Sequence, residues 1–348
     1  MLKYIIKRLL LAVLILFGVS VLLYFLLRLM PGNYIIEKFS PAIGQGNMTA
    51  EDLKNIMAMY GYDLKLFTNE AGDIIDFQVN NSLGNIFAGY FKWLGNFFKG
   101  DMGVSFKYQI PVEDVITDKM GISFSISLVS LIIEVLIAIP IGIKCACNQY
   151  GKFDYTTTVI CMTLMSFPSF FLGNMFIKLF AVDLGWFEMG GLNSPILPQD
   201  ADFFTRFGDT IWHLILPITV MVLLDVGSLM RYTRTNTLEV LNADYIRTAR
   251  AKGLSEGKVV YKHVFRNTLI PLVTVLASTL PMLFGGAMIT ETVFDIPGIG
   301  QATYAALQEG DVPLAMSYNM FIAVLTVIGT LLADLMYAVV DPRIKLGK

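Results

Sequence analysis

The stretch Leu9–Met30, LLLAVLILFGVSVLLYFLLRLM, runs for 22 residues with one charge, Arg28, near its end. About 20 apolar residues in helical conformation cross a hydrocarbon core of roughly 30 Å, so this run is long enough to span a bilayer. Lys3, Lys7 and Arg8 precede it, as basic residues precede a secretory leader. The apolar run is too long for a leader, however, and Leu29-Met30-Pro31-Gly32 follows instead of a small-x-small cleavage site. It reads as a retained helix.

Five further stretches meet the same length requirement: Ile122–Cys147, Thr156–Phe180, Ile211–Met230, Leu269–Ile289 and Ser317–Val340. The chain of 348 residues is 55% hydrophobic and only 16% charged, too few charges to cover a water-facing surface of its size. The fold class that follows is an all-α membrane protein with about six transmembrane helices. A net charge of −2 gives no reason to propose a nucleic-acid partner. Cys145, Cys147 and Cys161 all sit in apolar runs and read as small hydrophobes, not as a disulfide framework or a zinc site.

Orientation follows from the basic residues of the connecting segments. The segment 231–269 carries Arg234, Arg247, Arg250, Lys252, Lys258, Lys262 and Arg266, and the tail adds Arg343, Lys345 and Lys348. Opposite segments are acidic, with Glu51, Asp52 and Asp63 in one, Asp183, Glu188 and Asp202 in another, and Glu291, Asp295, Glu309 and Asp311 in the last. Both termini are therefore expected on the cytoplasmic side. The chain divides into residues 1–31 (inner end and first helix), 32–118 (an enlarged extracellular segment) and 119–348 (a five-helix core).

Within 32–118, Thr49-Ala50-Glu51-Asp52 has the pattern of a capping box opening a helix. Phe87–Phe98 combines Tyr90, Phe91, Trp93, Phe97 and Phe98 with Lys92 and Lys99. Two readings stand for it: an interfacial helix at headgroup level, or a small domain that buries the rings internally.

Catalytic groups are sparse. The two histidines, His213 and His263, lie in no triad or metal-binding pattern. Gly253-Leu254-Ser255-Glu256-Gly257-Lys258-Val259 falls short of a phosphate-binding loop, with three residues between its glycines and Val259 where Ser or Thr would hold magnesium. No cofactor is assigned to this chain. The better leads are acids at membrane depth, where a charge needs a partner or a wet cavity. Glu134 and Asp225 are the candidate pathway-lining residues, with hydrogen bonding between helices as the alternative; Asp334, nearer its helix end, suits that structural role. Pro140, Pro168 and Pro281 fall inside spans as hinges or packing devices.

Asn242–Gly253 reads as a short amphipathic helix, with Asp244 as N-cap and Gly253 at C′ with φ > 0. Ser255 then caps a second helix from Glu256 to about Asn267. A well-capped helix between two spans suits a partner's groove, and its alternative is a basic loop resting on headgroups. The run Asp244–Gly253, continuing into Leu254-Ser255-Glu256, resembles the EAA loop of the permease subunits of bacterial ABC importers for oligopeptides and dipeptides, in particular the B-type member of the permease pair. His263…Arg266-Asn267-Thr268-Leu269-Ile270-Pro271, Gly100-Asp101-Met102-Gly103-Val104-Ser105, Glu291-Thr292-Val293-Phe294-Asp295-Ile296-Pro297-Gly298-Ile299-Gly300 and Asp341-Pro342-Arg343-Ile344 are similar to that family as well.

The resemblance implies a multi-pass protein of the bacterial cell membrane with the MetI-like core of type I importers. It implies four kinds of partner: a second, different permease, two ATP-binding subunits that carry ATP and magnesium, an extracellular substrate-binding lipoprotein, and membrane lipid. Asp244, Tyr245, Ala249, Lys252, Gly253 and Leu254 would form the ATPase-coupling element, with Ala249 turned toward the ATPase groove. Relatives of this branch carry nickel chelates, haem, glutathione or oligosaccharides, and a stand-alone proton-coupled transporter is the reading from another class. Arg247-Thr248 stand where the general EAA pattern has Glu-Ala, and an insertion around Phe67–Phe87 lengthens the first outer segment.

Overall fold

The computed structural model describes residues 2–29, 49–59, 63–68, 74–79, 82–198 and 200–340. Among them, five helices are long and apolar enough to cross a membrane, or six if one bent pair counts as a span. The chain divides into two compact units, 5–118 with 305–324, and 119–304 with the two ends of the chain. The segment 305–324 thus groups with 5–118 and not with the C-terminal core of the sequence division.

In the first unit, α1 (Leu2–Leu29) packs with α3 (Leu83–Phe98). The Ser20 hydroxyl lies 2.7 Å from the Tyr90 hydroxyl, and the Tyr24 ring meets the Tyr90 ring edge-on at 5.5 Å. Tyr24, Tyr90 and Trp93 are buried, whereas Phe87, Phe91 and Phe98 are exposed. Tyr90 and Trp93 thus face α1, and Phe87, Phe91 and Phe98 form an exposed side of the same helix. Thr49 opens α2 (Ala50–Met59) with a reciprocal box: its N–H donates to the Asp52 carboxylate (2.9 Å) and the Asp52 N–H donates to its hydroxyl (3.1 Å).

Among the described residues, β1 (Leu64–Thr68) and β2 (Ile74–Val79) pair antiparallel as the one sheet, which the sequence reading did not include. The loop 101–110 is clasped by the turn after α12 (Ile299–Glu309). Ser105 Oγ and the Lys107 N–H both donate to the buried Asp311 carboxylate, and Lys107 Nζ donates to Glu309 at 2.6 Å. That bond to Glu309 holds the Lys107 ammonium above its ordinary range.

The longest elements of the second unit are α7 (Phe203–Leu241) and α4 (Val112–Cys147), the latter entering this unit at Lys119. At 1.5 Å per residue, α4's 36 residues measure about 54 Å, well beyond a bilayer core. Its added first turns carry Glu113, Asp114, Asp118 and Lys119, which belong in water. Asp202 caps α7 by accepting from the Phe204 and Thr205 amides. The expected span Thr156–Phe180 is α5 (Lys152–Met165) followed, after a break, by α6 (Ser169–Phe176) and a π-helical stretch, Ile177–Asp183, at an angle of 97° to α5. Pro168 explains the break, because it lacks an N–H and pushes the residue before it out of helical conformation.

The second helix of the 242–271 segment does not stop near Asn267. Starting from Ser255, α9 (Glu256–Lys258) passes through a π-helical turn, Val259–Val264, into α10 (Phe265–Gly285). Pro271 and Pro281 lie inside α10, which ends where Gly286 turns to φ +67° before α11 (Met288–Val293). The last helix, α13, is Val312–Val340. Ala138, Ile139, Cys161, Val226, Met230 and Leu272 form the core shared by α4, α5, α7 and α10.

Candidate functional site

Two features stand out in the second unit. The first is a cavity of about 390 Å³ between α4, α7 and α10, and both Glu134 and Asp225 line it. They come from different helices, 91 positions apart, so sequence alone could not bring them together. Ser127, Ser130, Ser228 and Thr279 add hydroxyls to a wall that is otherwise largely apolar, and Gly286 and Ala287 also line it. Glu134 is half-buried and Asp225 is exposed on this chain. The Asp334 side chain lies outside the described residues.

The second feature is α8 (Asp244–Ala251). Ala243, not Asp244, is its N-cap; Asp244 is the first helical residue, with its carboxylate 3.6 Å from Arg247. At the other end the Gly253 N–H donates to the Arg250 carbonyl (2.9 Å) and the Leu254 N–H to the Ala249 carbonyl (3.4 Å). With Gly253 at φ +76°, this is the paired-bond helix ending that a left-handed glycine permits. The Arg250 guanidinium forks onto Glu256 (2.8 and 3.3 Å) and ties the helix to the next one.

Ala249 does not face outward. It is 7% exposed and packs with Ile246, Val259 and Val264 in a small core of this chain's own. A helix this short needs an internal apolar side to be held at all, and Ile246 and Ala249, three residues apart, supply it. The outward surface is Asp244, Tyr245, Arg247, Thr248, Lys252 and Leu254. Beyond its chain neighbours, no atom lies within 4 Å of a Cβ built at Gly253, so an alanine there meets strain but no clash. Gly253→Ala is expected to cost about 1–2 kcal/mol, the penalty of a left-handed L-residue, and Gly253→Val more. Helix protection by hydrogen exchange across 244–254 measures it; unchanged protection in both variants would mean the turn does not hold the helix.

Two structural sites escaped the sequence reading. Asp154 and Arg234, from α5 and α7, form a buried bidentate ion pair. Glu291, read as an outer-loop acid, is 2% exposed and is enclosed by Gly286, Gly298 and Gly300. Its spacing from two later glycines was the visible signal.

Two family descriptions together cover nearly the whole chain: the N-terminal membrane component of binding-protein-dependent transport systems matches residues 1–127, and their inner membrane component matches 138–346. The chain belongs to the binding-protein-dependent transport permeases. Within this family it is 36% identical to the oligopeptide transport system permease protein AppB of Bacillus subtilis, over 99% of this chain and 100% of that one. It is 31% identical to OppB of Haemophilus influenzae (99% and 100%) and 29% identical to the dipeptide permease DppB of Escherichia coli K12 (99% and 99%). An inward-facing structure of the MetNI methionine ABC transporter superposes with a TM-score of 0.51 at 18% identity, covering 65% of this chain and 96% of that one. The fold is thus that of the MetI-type permease, embedded in the cell membrane as a multi-pass protein.

Proposed function

We propose that this permease forms half of the pathway of a peptide importer, paired with a second permease and driven by two separate ATP-binding subunits. Similarity to oligopeptide and dipeptide permeases over 99% of the chain carries this reading. In it, α8 is the coupling helix. Tyr245, Lys252 and Leu254 meet the ATPase subunit, while Ile246 and Ala249 fix the helix to its own chain. The basic segment 231–269 then faces the cytoplasm, and an extracellular binding lipoprotein delivers the peptide.

The test is reconstitution of the full complex with its binding protein, scoring peptide uptake and co-purification of the ATPase. Tyr245→Ala combined with Leu254→Ala removes the exposed apolar contacts and should reduce ATPase retention by about tenfold or more, as loss of interface anchors does. Insertion and pairing with the second permease should persist. Ser255→Cys should be labelled by impermeant thiol reagents from the cytoplasmic side alone. Peptide uptake without ATP or partner chains would replace this reading with a stand-alone secondary transporter.

A further inference from the structure

We infer that the cavity between α4, α7 and α10 receives the ammonium group of the transported solute, with Glu134 and Asp225 as its counter-charges. This deepens the importer reading and rests on it for the identity of the solute. Four observations point the same way.

First, neither carboxylate has a hydrogen bond or ion pair within the described residues, although both lie on membrane-spanning helices. A carboxylate at that depth is retained where it faces a cation or a wet path. Second, the lining contains no Lys, Arg or His, so nothing in the wall neutralises the two acids or attracts an anion. Third, Ser127 is 8% exposed, lines the cavity and has no partner among the described residues, so its hydroxyl can accept from a ligand N–H.

Fourth, α10 ends at Gly285, and Gly286 and Ala287 belong to the cavity wall. The C-terminal end of a 21-residue helix carries partial negative charge, and broken membrane helices present such ends to cations. The wall thus carries two carboxylates, the C-terminal end of α10 and no basic side chain, with the short α11 starting beyond Ala287. The volume, about 390 Å³, falls within the range of about 300–1,000 Å³ typical of small-molecule sites. A primary ammonium, with three donors and no acceptor, matches this wall; a carboxylate or phosphate does not.

Two measurements test the assignment. In the purified protein, Ser228→Cys places a thiol in the cavity, while native Cys147, exposed and outside it, calibrates the reagents. Relative to Cys147, the thiol should react about tenfold faster with aminoethyl than with sulfonatoethyl methanethiosulfonate, and Glu134→Gln with Asp225→Asn should bring the ratio to about one. In proteoliposomes holding the full complex and saturating binding protein, a peptide and its N-acetylated form are compared for the parent and the two acid variants. Because one binding protein serves every arm, its own preference cancels in this cycle.

The expected result is a preference for the free amine over the acetylated form that falls about tenfold in either variant, whatever the total uptake. Charge-insensitive labelling at position 228 overturns the inference. So does an amine preference that survives both substitutions, even if total uptake falls. Should the parent complex import no peptide at all, the importer reading fails, and the labelling arm still decides whether the cavity selects cations. Variants that do not pair with the second permease are detected by co-purification. Ser127→Ala, which removes one acceptor and no charge, then supplies the cycle: a weakened amine preference supports the inference, and a preference equal to the parent's counts against it.

Discussion

Arg234→Met should be among the most damaging single replacements in this protein, costing about 3–5 kcal/mol, because it strands a buried carboxylate. Arg234 Nε lies 2.6 Å from Asp154 Oδ1 and Nη2 lies 2.7 Å from Oδ2, the fork-to-fork geometry that only arginine provides. The Asp154 side chain is 4% exposed, and its second oxygen also accepts from the Tyr150 N–H at 2.9 Å, which holds Tyr150 at φ +61°. Asp154→Asn should cost less than Arg234→Met, since the guanidinium is 22% exposed and can lean toward water. The double replacement Asp154→Leu with Arg234→Leu should recover most of the loss, since no charge is then left without a partner. Thermal midpoints of the detergent-purified proteins, taken at one scan rate, measure all three. A double variant no better than Arg234→Met would show that α5 and α7 require the ion pair itself.

The second large effect is steric. Gly298→Ala should cost about 3 kcal/mol or more, the upper range for overpacking a filled site. Its new methyl would collide with Glu291 Oε2 and Ser123 Oγ, and neither can retreat. Glu291 accepts from the Ala287 amide (3.1 Å) through one oxygen and from the Gln301 amide (3.0 Å) through the other, while Ser123 accepts from the Ile299 amide at 2.8 Å. One carboxylate and one hydroxyl therefore satisfy three backbone donors, the Ala287 N–H and two in the first turn of α12. Glu291→Gln keeps the shape but turns one acceptor into a donor facing an N–H, an expected loss of about 1–3 kcal/mol. Limited proteolysis between 286 and 301 should accelerate in both variants, more in Gly298→Ala. A Gly298→Ala protein with unaltered cleavage and thermal midpoint would mean that the loop opens to admit the methyl.

The spans were legible because apolar length is a local property. Leu9–Met30 and Ile211–Met230 can each be recognised without knowing a neighbour. The φ of Gly253 was legible for the same reason, since a helix ending is written within five residues. What stayed hidden was any feature made by residues far apart in the chain. Glu134 could be suspected of lining a path, but its sharing a cavity with Asp225 depends on how α4 and α7 pack. Asp154 lies in a mixed run whose partner is 80 positions away. Ala249 was turned the wrong way because its immediate neighbours are polar, whereas its actual neighbours, Val259 and Val264, come after a turn. The break at Pro168 was visible as a proline, but its angle was not.

The π-helical turn at Val259–Val264 also sets an angle. Each residue added to a helix rotates everything beyond it by about 100°, so one extra residue in this turn fixes which side of α10 looks inward. Leu272 reaches the shared core and Val275 and Thr279 reach the cavity only at this phase. A single-residue deletion within 259–264 would leave α8, its Gly253 ending and every apolar residue of α10 in the sequence. It would nevertheless carry a different stripe of α10 to the cavity wall. The chemistry of this cavity wall is therefore open to change by one codon gained or lost at a site that touches neither Glu134 nor Asp225.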